Sequence, residues 1–453
     1  MVEVKVLHAD GTPSVEELCR LADNYDGVVV VGSQYTNGWT TVIEGVRKAG
    51  SRWHKIVYVD RDNDTKMSGL SLEDIIEAYK AYFDSLVGFI PVVVSDAGKV
   101  VSRRDLLKSG LGVFFKYTAL PEVSDVQCSS LEHCRLCISS CPYSAIEGKP
   151  PTFSEQRCTE CGLCTSACPT GYLFTPSHPP DALRRLFYEA RRRGASGVTV
   201  TCARARESLY NGGEKKSGLV VELPCIASLR LQEYLFARLL GLEVNIYCPQ
   251  NIRESCPKGM AGEEYLAIIG DLKHFLRAEV EAQPVYSQNI LELLAPLANP
   301  ADRWLKVERL PLFRVEVNQD KCTLCGACTH ECPVEALRLV SGERHRLLFN
   351  HSHCIGCSTC VETCPEDAVE LSRSVNPFLL SSRGEVEVAS SPPAKCRRCG
   401  KDIGPEKVIR RLEEKLKRTG APSSTLEALW LCADCKRKSL EDQFKDILGS
   451  SQA

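Results

Sequence analysis

Cys322, Cys325, Cys328 and Cys332 stand three, three and four positions apart, and a proline follows the last. Cys354, Cys357, Cys360 and Cys364 repeat that spacing 32 residues later, again before a proline. A third copy is Cys158, Cys161, Cys164 and Cys168-Pro169. Upstream of it, in "CSSLEHCRLCISSCP", Cys134, Cys137 and Cys141-Pro142 keep register with Cys161, Cys164 and Cys168 at a constant offset of 27. Leu131 stands where the first cysteine of that run belongs, and Cys128 lies three residues earlier. Thiolates this close together bind soft metals. Zinc takes four ligands and usually draws them from two separated Cys-x2-Cys pairs, whereas four thiols in one tight run before a proline favour an iron–sulfur cluster.

Two further sets of cysteines have different spacing. Cys202, Cys225 and Cys248 each follow an expected strand, and Cys256 lies in the next loop. In a parallel sheet the carboxyl ends share one edge, where α/β folds place their sites, so these four could meet around one metal. Buried cysteines also serve as small apolar residues. Chance rarely puts three at successive strand ends, which favours the metal. Near the carboxyl end, Cys396-x2-Cys399 and Cys432-x2-Cys435 flank a charged helix, "GPEKVIRRLEEKLKRTG". Two such knuckles suit tetrahedral zinc ahead of a rubredoxin-like iron or free thiols. Cys19 has no partner pattern and reads as a core residue.

The elements that must hold these groups follow from composition and periodicity. A chain of 453 residues implies three or four domains, and 43% apolar with 25% charged residues is typical of a globular protein. A net charge of −2 gives no basic footprint for nucleic acid. The first ten residues show no secretory signal and no run is long enough to span a bilayer, so the 25 cysteines are expected in a reducing cytoplasm, where metal ligation is their use. "SRRDLLKSGLGVFF", at 102–115, resembles a twin-arginine signal but lies inside the chain and reads as linker.

Residues 1–100 alternate strands (VEVKVLH, DGVVVVGS, KIVYVDR, FIPVVVSD) with helical patterns, including one that opens with a Ser71–Asp74 capping box. "GSQYTNG" is no dinucleotide fingerprint, so this α/β domain reads as a docking or scaffold unit. A linker over 101–121 precedes a cysteine-rich domain over 122–176. A second α/β domain covers 180–285, a second cysteine-rich domain covers 310–374, and the paired Cys-x2-Cys tail covers 392–445. The expected fold class is therefore α/β plus α+β: parallel α/β domains interleaved with two cysteine-rich modules and a zinc-ribbon-like tail.

Residues 122–176 and 314–372 each resemble a two-cluster bacterial-type ferredoxin domain, on the spacing described and on "VNQDKCTLCGAC" and "CIGCSTCVETCPEDAVEL". The resemblance implies four [4Fe–4S] clusters with crossed ligands: Cys364 with Cys322, Cys325 and Cys328; Cys332 with Cys354, Cys357 and Cys360; Cys141 with Cys158, Cys161 and Cys164. Cys168 would join Cys134, Cys137 and Cys128, the last reaching in over a lengthened "SSLEH" loop. It further implies that each fourth cysteine opens a helix behind its proline, with Ala336 and Ala368 letting that helix approach a cluster. "VVELPCIASLRLQEYLFARLLGLEVNIYCPQNIRESC" is similar to the delta subunit of methyl-viologen-reducing hydrogenase, which implies a [2Fe–2S] cluster on the central thiols. The sequence departs from that family in leaving Cys202 without a close companion and in placing seven residues between Cys248 and Cys256. No histidine, carboxylate or serine constellation marks a substrate site. The expectation is an electron-transfer subunit whose partner holds the catalytic site; the rival is an enzyme reducing a disulfide or other small acceptor at the central thiols.

Overall fold

The computed structural model describes residues 2–9, 11–33, 37–49, 53–86, 120–123, 128, 133–211, 218–277 and 286–449. The expected strand FIPVVVSD, the SRRDLLKSGLGVFF segment and most of the "SSLEH" loop lie outside these residues. The chain divides into two compact units. The first comprises 1–130, 135–300 and 308–311; the second comprises 131–134, 301–307 and 312–453.

The first unit opens with a parallel sheet in the order β1 (Val4–His8), β2 (Gly27–Gly32), β3 (Ile56–Asp60). All six residues of β2 are buried, as a central parallel strand covered on both faces requires. Helix α1 (Val15–Asn24) starts where the Ser14 hydroxyl accepts the Glu17 N–H, and it buries Leu18, Leu21 and Ala22. Helix α2 (Asn37–Lys48) follows β2, and α3 (Arg61–Ser68) begins where the Asp60 carboxylate accepts two backbone N–H groups. Helix α4 (Leu72–Leu86) opens with the expected box: the Ser71 hydroxyl donates to Asp74 at 2.7 Å and accepts its N–H at 3.1 Å.

A second parallel sheet has the order β10 (Glu243–Ile246), β8 (Gly197–Thr201), β9 (Leu219–Glu222). On β10 packs α6 (Leu231–Leu239), which also lies against α5 (Pro180–Arg192), while α7 (Gly259–Lys273) packs on the turn at Ile226–Ser228. The two sheets belong to one body. Helix α4 lies against α5, Tyr79 donates its hydroxyl to the Val220 carbonyl at 2.8 Å, and the Gly218 N–H reaches the Met67 carbonyl at 2.8 Å. Arg206 pairs with Asp64 at 2.6 Å, both buried, and Tyr210 donates to the same carboxylate at 2.5 Å.

The cysteine-rich segments are antiparallel. In the first, β4 (Glu122–Val123) pairs with β7 (Leu173–Phe174) and β5 (Ile146–Glu147) with β6 (Thr152–Phe153). In the second unit, β15 (Val369–Val375) lies between β11 (Leu305–Lys306) and β12 (Phe313–Val317). β14 (His345–Asn350) lies between β13 (Leu337–Val340) and β16 (Glu385–Ser391). The tail is a short hairpin, β17 (Pro393–Lys395) with β18 (Asp402–Pro405), followed by the charged helix α8 (Glu406–Arg418).

One expectation is corrected. No helix opens behind the Cys-Pro pairs. The one-turn helices lie earlier, at Leu136–Ser139, Leu163–Ser166, Ala327–His330 and Thr359–Glu362, each containing the third cysteine of its run. After Cys332 and Cys364 the chain makes a turn closed by an N–H three residues on, then enters β13 or β15. Ala336 and Ala368 stand immediately before those strands, and each donates its N–H to the sulfur of the cysteine four residues before it, at 3.2 and 3.3 Å.

Candidate metal centres

Each regular run is bent by the same backbone device. The second and fourth residues after the first cysteine have positive φ: Glu160 and Gly162, Leu324 and Gly326, Gly356 and Ser358. So does the residue three beyond each fourth cysteine: Ser144, Gly171, Glu335 and Asp367. Such angles are costly for side chains other than glycine and persist where the surroundings enforce them. Here they curl three thiols toward one centre. At Gly356 a side chain is also excluded by contact, since a Cβ would lie 2.0 Å from the Phe313 ring.

The curled loops enclose cavities with crossed walls. One is lined by Cys322, Cys325, Cys328 and Cys364. A second is lined by Cys354, Cys357, Cys360 and Cys332. In the first unit, a third is lined by Cys158, Cys161, Cys164 and Cys141. In each, three sulfurs come from one run and the fourth from the other. Burial pushes the Cys328 and Cys354 thiols up to about 12, and Cys164 is raised well above its ordinary value, by burial and then by its neighbouring cysteines. Thiols so placed ionise when a cation takes up their charge, which is what a cluster's iron does. Backbone N–H groups already aim at Cys141, Cys158, Cys332 and Cys364 at 3.2–3.4 Å, in the manner that stabilises cluster sulfur. The donor set and its geometry fit iron–sulfur clusters.

Residues 127–172 and residues 314–365 match two family models, each described as a 4Fe-4S dicluster domain. The chain carries two 4Fe–4S dicluster domains. No curated protein matches the chain. Among the described residues, no helix is long and apolar enough to cross a membrane.

The first dicluster domain departs from the pattern around its opening run. Arg135, aligned with Gly162, has φ −127° rather than a positive angle. Cys137 packs in an apolar cluster with Cys164 and, at its edge, Cys141 and Cys168. Cys128 is buried, and its sulfur accepts from the Lys149 ammonium at 3.5 Å. Cys134 falls in the second unit's share of the chain, while Cys128, Cys137 and Cys168 fall in the first. Lys149 was not signalled by any motif; it is a lone cation in a loop.

Cys202, Cys225, Cys248 and Cys256 line one cavity of about 350 Å3 at the carboxyl edge of the second sheet. Burial, followed for Cys248 by Cys202, pushes the Cys225 and Cys248 thiols up to about 12. The segment after Cys225 is packed against the first dicluster domain. A Cβ on Gly162 would meet Ser228 at 2.5 Å, and the Ser166 hydroxyl donates to the Ala227 and Leu229 carbonyls. Arg230 donates to the Gly171 and Leu173 carbonyls, and Gln232 to that of Cys168 at 2.8 Å. Lys258 spans the two sites, its ammonium 3.3 Å from the Pro224 carbonyl and 3.5 Å from that of Glu160. Burial, then Arg47, lowers its pKa, against the pull of Cys225, Cys161 and Cys202. Sequence reading passed over this lysine; its signal is a cation two residues after Cys256-Pro257.

In the tail, the sulfurs of Cys396, Cys399, Cys432 and Cys435 all lie within 4.8 Å of one another, with Cys399 and Cys432 at 3.7 Å. Tetrahedral zinc with bonds of about 2.3 Å places its sulfurs about 3.8 Å apart. The Cys432 N–H, with those of Arg398 and Cys399, holds the Cys396 thiol down to about 6, favouring the thiolate that a metal needs. Among the described residues, no other group of three or more potential ligands draws its donor atoms so close. Cys19 packs at the edge of the N-terminal core, beside Leu18 and Leu21.

Proposed function

We propose that this iron–sulfur protein relays single electrons through four [4Fe–4S] clusters as a subunit of a cytoplasmic, anaerobic oxidoreductase complex. The catalytic partner is a hydrogenase, a dehydrogenase or a heterodisulfide-reductase-like component. The observation that carries this reading is the crossed lining of three cavities, each taking three thiols from one run and one from the other. Bound clusters of this type supply one-electron chemistry at low potential, typically about −400 mV in ferredoxin-like sites. The protein's part is to hold four sulfurs at fixed separation, aim N–H dipoles at them and exclude water. Cys128, Cys134, Cys137 and Cys168 complete the fourth set in this proposal. The likeness of the middle region to the hydrogenase delta subunit adds a [2Fe–2S] cluster on Cys202, Cys225, Cys248 and Cys256, and the close tail sulfurs support a structural zinc.

Protein purified without oxygen should carry about 16 iron atoms from the two dicluster domains, plus any central centre. Zinc in their place after anaerobic reconstitution would remove the relay. A second reading, in which the chain reduces a small acceptor at the central thiols, draws on the room in that cavity. It requires turnover by the pure chain that Cys225→Ser abolishes with dicluster iron intact.

A further inference from the structure

The central cavity is far larger than a metal centre needs. It holds about 350 Å3, against about 20 Å3 for each of the three cavities lined by dicluster cysteines. A cluster seated on its thiols would leave most of the space, and about 300–1,000 Å3 is the size of a small-molecule pocket.

The walls come from both sheets of the first unit. Helix α2 of the N-terminal sheet is fastened over the thiols: Thr40 donates to the Ala203 carbonyl at 3.3 Å, Glu44 pairs with Arg204 at 2.8 Å, and Arg47 pairs with Glu160. One part of the lining is apolar and aromatic, from Ile43, Tyr58, Tyr82, Leu183 and Leu186. The charged lining is Arg47, Arg204, Arg253 and Lys258 against Glu44 and Glu222. Arg47, Arg204 and Arg253 are paired with carboxylates, and Glu222 with Arg206. Among the described residues Lys258 has no carboxylate partner. Its two carbonyl contacts, at 3.3 and 3.5 Å, are longer than ordinary N–H···O bonds, and an ammonium has three donors.

We propose that this cavity binds a small organic carboxylate with an apolar or aromatic body, its charge on Lys258 and its body against the face made by α2 and α5. The N-terminal α/β domain then has a stated job: it turns an open sheet edge into an enclosed pocket. The proposal deepens the second reading above, since it places a ligand beside the central thiols, yet it concerns binding and not turnover.

The test is calorimetry on the full chain, loaded with iron under anaerobic conditions, using 3-phenylpropionate and its neutral amide as probes. A charge-assisted hydrogen bond predicts that the carboxylate binds roughly 10- to 100-fold more tightly than the amide. Lys258→Met should bring the carboxylate down to the level of the amide, whereas Lys258→Arg should keep most of the preference. Ile43→Trp, which adds bulk to the apolar part of the lining, should abolish binding of both probes. Absence of binding by either probe, or carboxylate binding indifferent to Lys258→Met, would overturn the proposal. Iron content and reduction by dithionite are read on the same samples: normal values without binding remove the pocket and leave the relay, and missing iron removes the relay itself.

Discussion

At the scale of single residues, the crossed sulfurs assign each cysteine to a centre that its position in the chain does not suggest. Cys364 is four residues from Cys360 yet faces the cavity of Cys322, Cys325 and Cys328. Replacing it should therefore disturb the same centre as replacing a residue some forty positions away. We expect Cys364→Ser and Cys325→Ser to alter one and the same paramagnetic signal of the reduced protein, and Cys332→Ser and Cys357→Ser to alter a second signal in common. Electron paramagnetic resonance of the four variants decides this. A Cys364→Ser spectrum matching that of Cys357→Ser would mean that each run serves its own cluster. The spacing made the thiols legible in the sequence but not the angles that aim them. Glu160, Leu324, Ser358 and Glu335 adopt positive φ with side chains that carry no such preference, because the loop around the centre imposes it.

At the scale of elements, strands and their order were easier to read than the turns between them. The run GVVVVG could be little other than a buried strand, and the Ser71–Asp74 box fixed the start of α4. A proline after cysteine suggested a helix because proline suits a first helical turn. The structure instead spends those N–H groups on a turn carbonyl and on a sulfur, and the positive φ at Glu335 and Asp367 bars a continuing helix. A buried histidine ties two of the resulting strands together. His351 donates from Nδ1 to the Phe313 carbonyl of β12 at 3.1 Å and accepts the Asn376 N–H at Nε2, just past β15. Burial lowers its pKa from 6.5 to about 4. The folded state therefore prefers the neutral ring: the contribution is complete above pH 6.5 and is lost as pH falls toward 4, on the order of 3 kcal/mol at its full depth. Hydrogen exchange at β12 and β15 should quicken across that window, and the acceleration should vanish in His351→Gln. Equal acid sensitivity in the variant would assign the effect to other groups.

At the scale of the whole molecule, the tail and the two-sheet body of the first unit are held by different means. The tail core is small, built around Ala394, Ile409 and Trp430, so its order depends on the four clustered sulfurs. A zinc chelator should release one metal ion per chain, quicken exchange over 393–435 and leave the dicluster iron in place. Simultaneous loss of both metals would show that the tail and the dicluster domains are not separable. The N-terminal sheet depends on the middle domain through charge. Arg206→Met leaves Asp64 buried without its cation and should cost about 3–5 kcal/mol, measured by anaerobic denaturation. That pairing also bears on how the protein is made. Asp64 and its counter-ion are 142 residues apart. At a ribosomal pace of 5–20 residues per second, the first sheet emerges roughly 7–30 s before the arginine that neutralises it. During that interval Asp64 has no Arg206 to pair with, so the buried ion pair that joins the two sheets forms only after the middle domain is made.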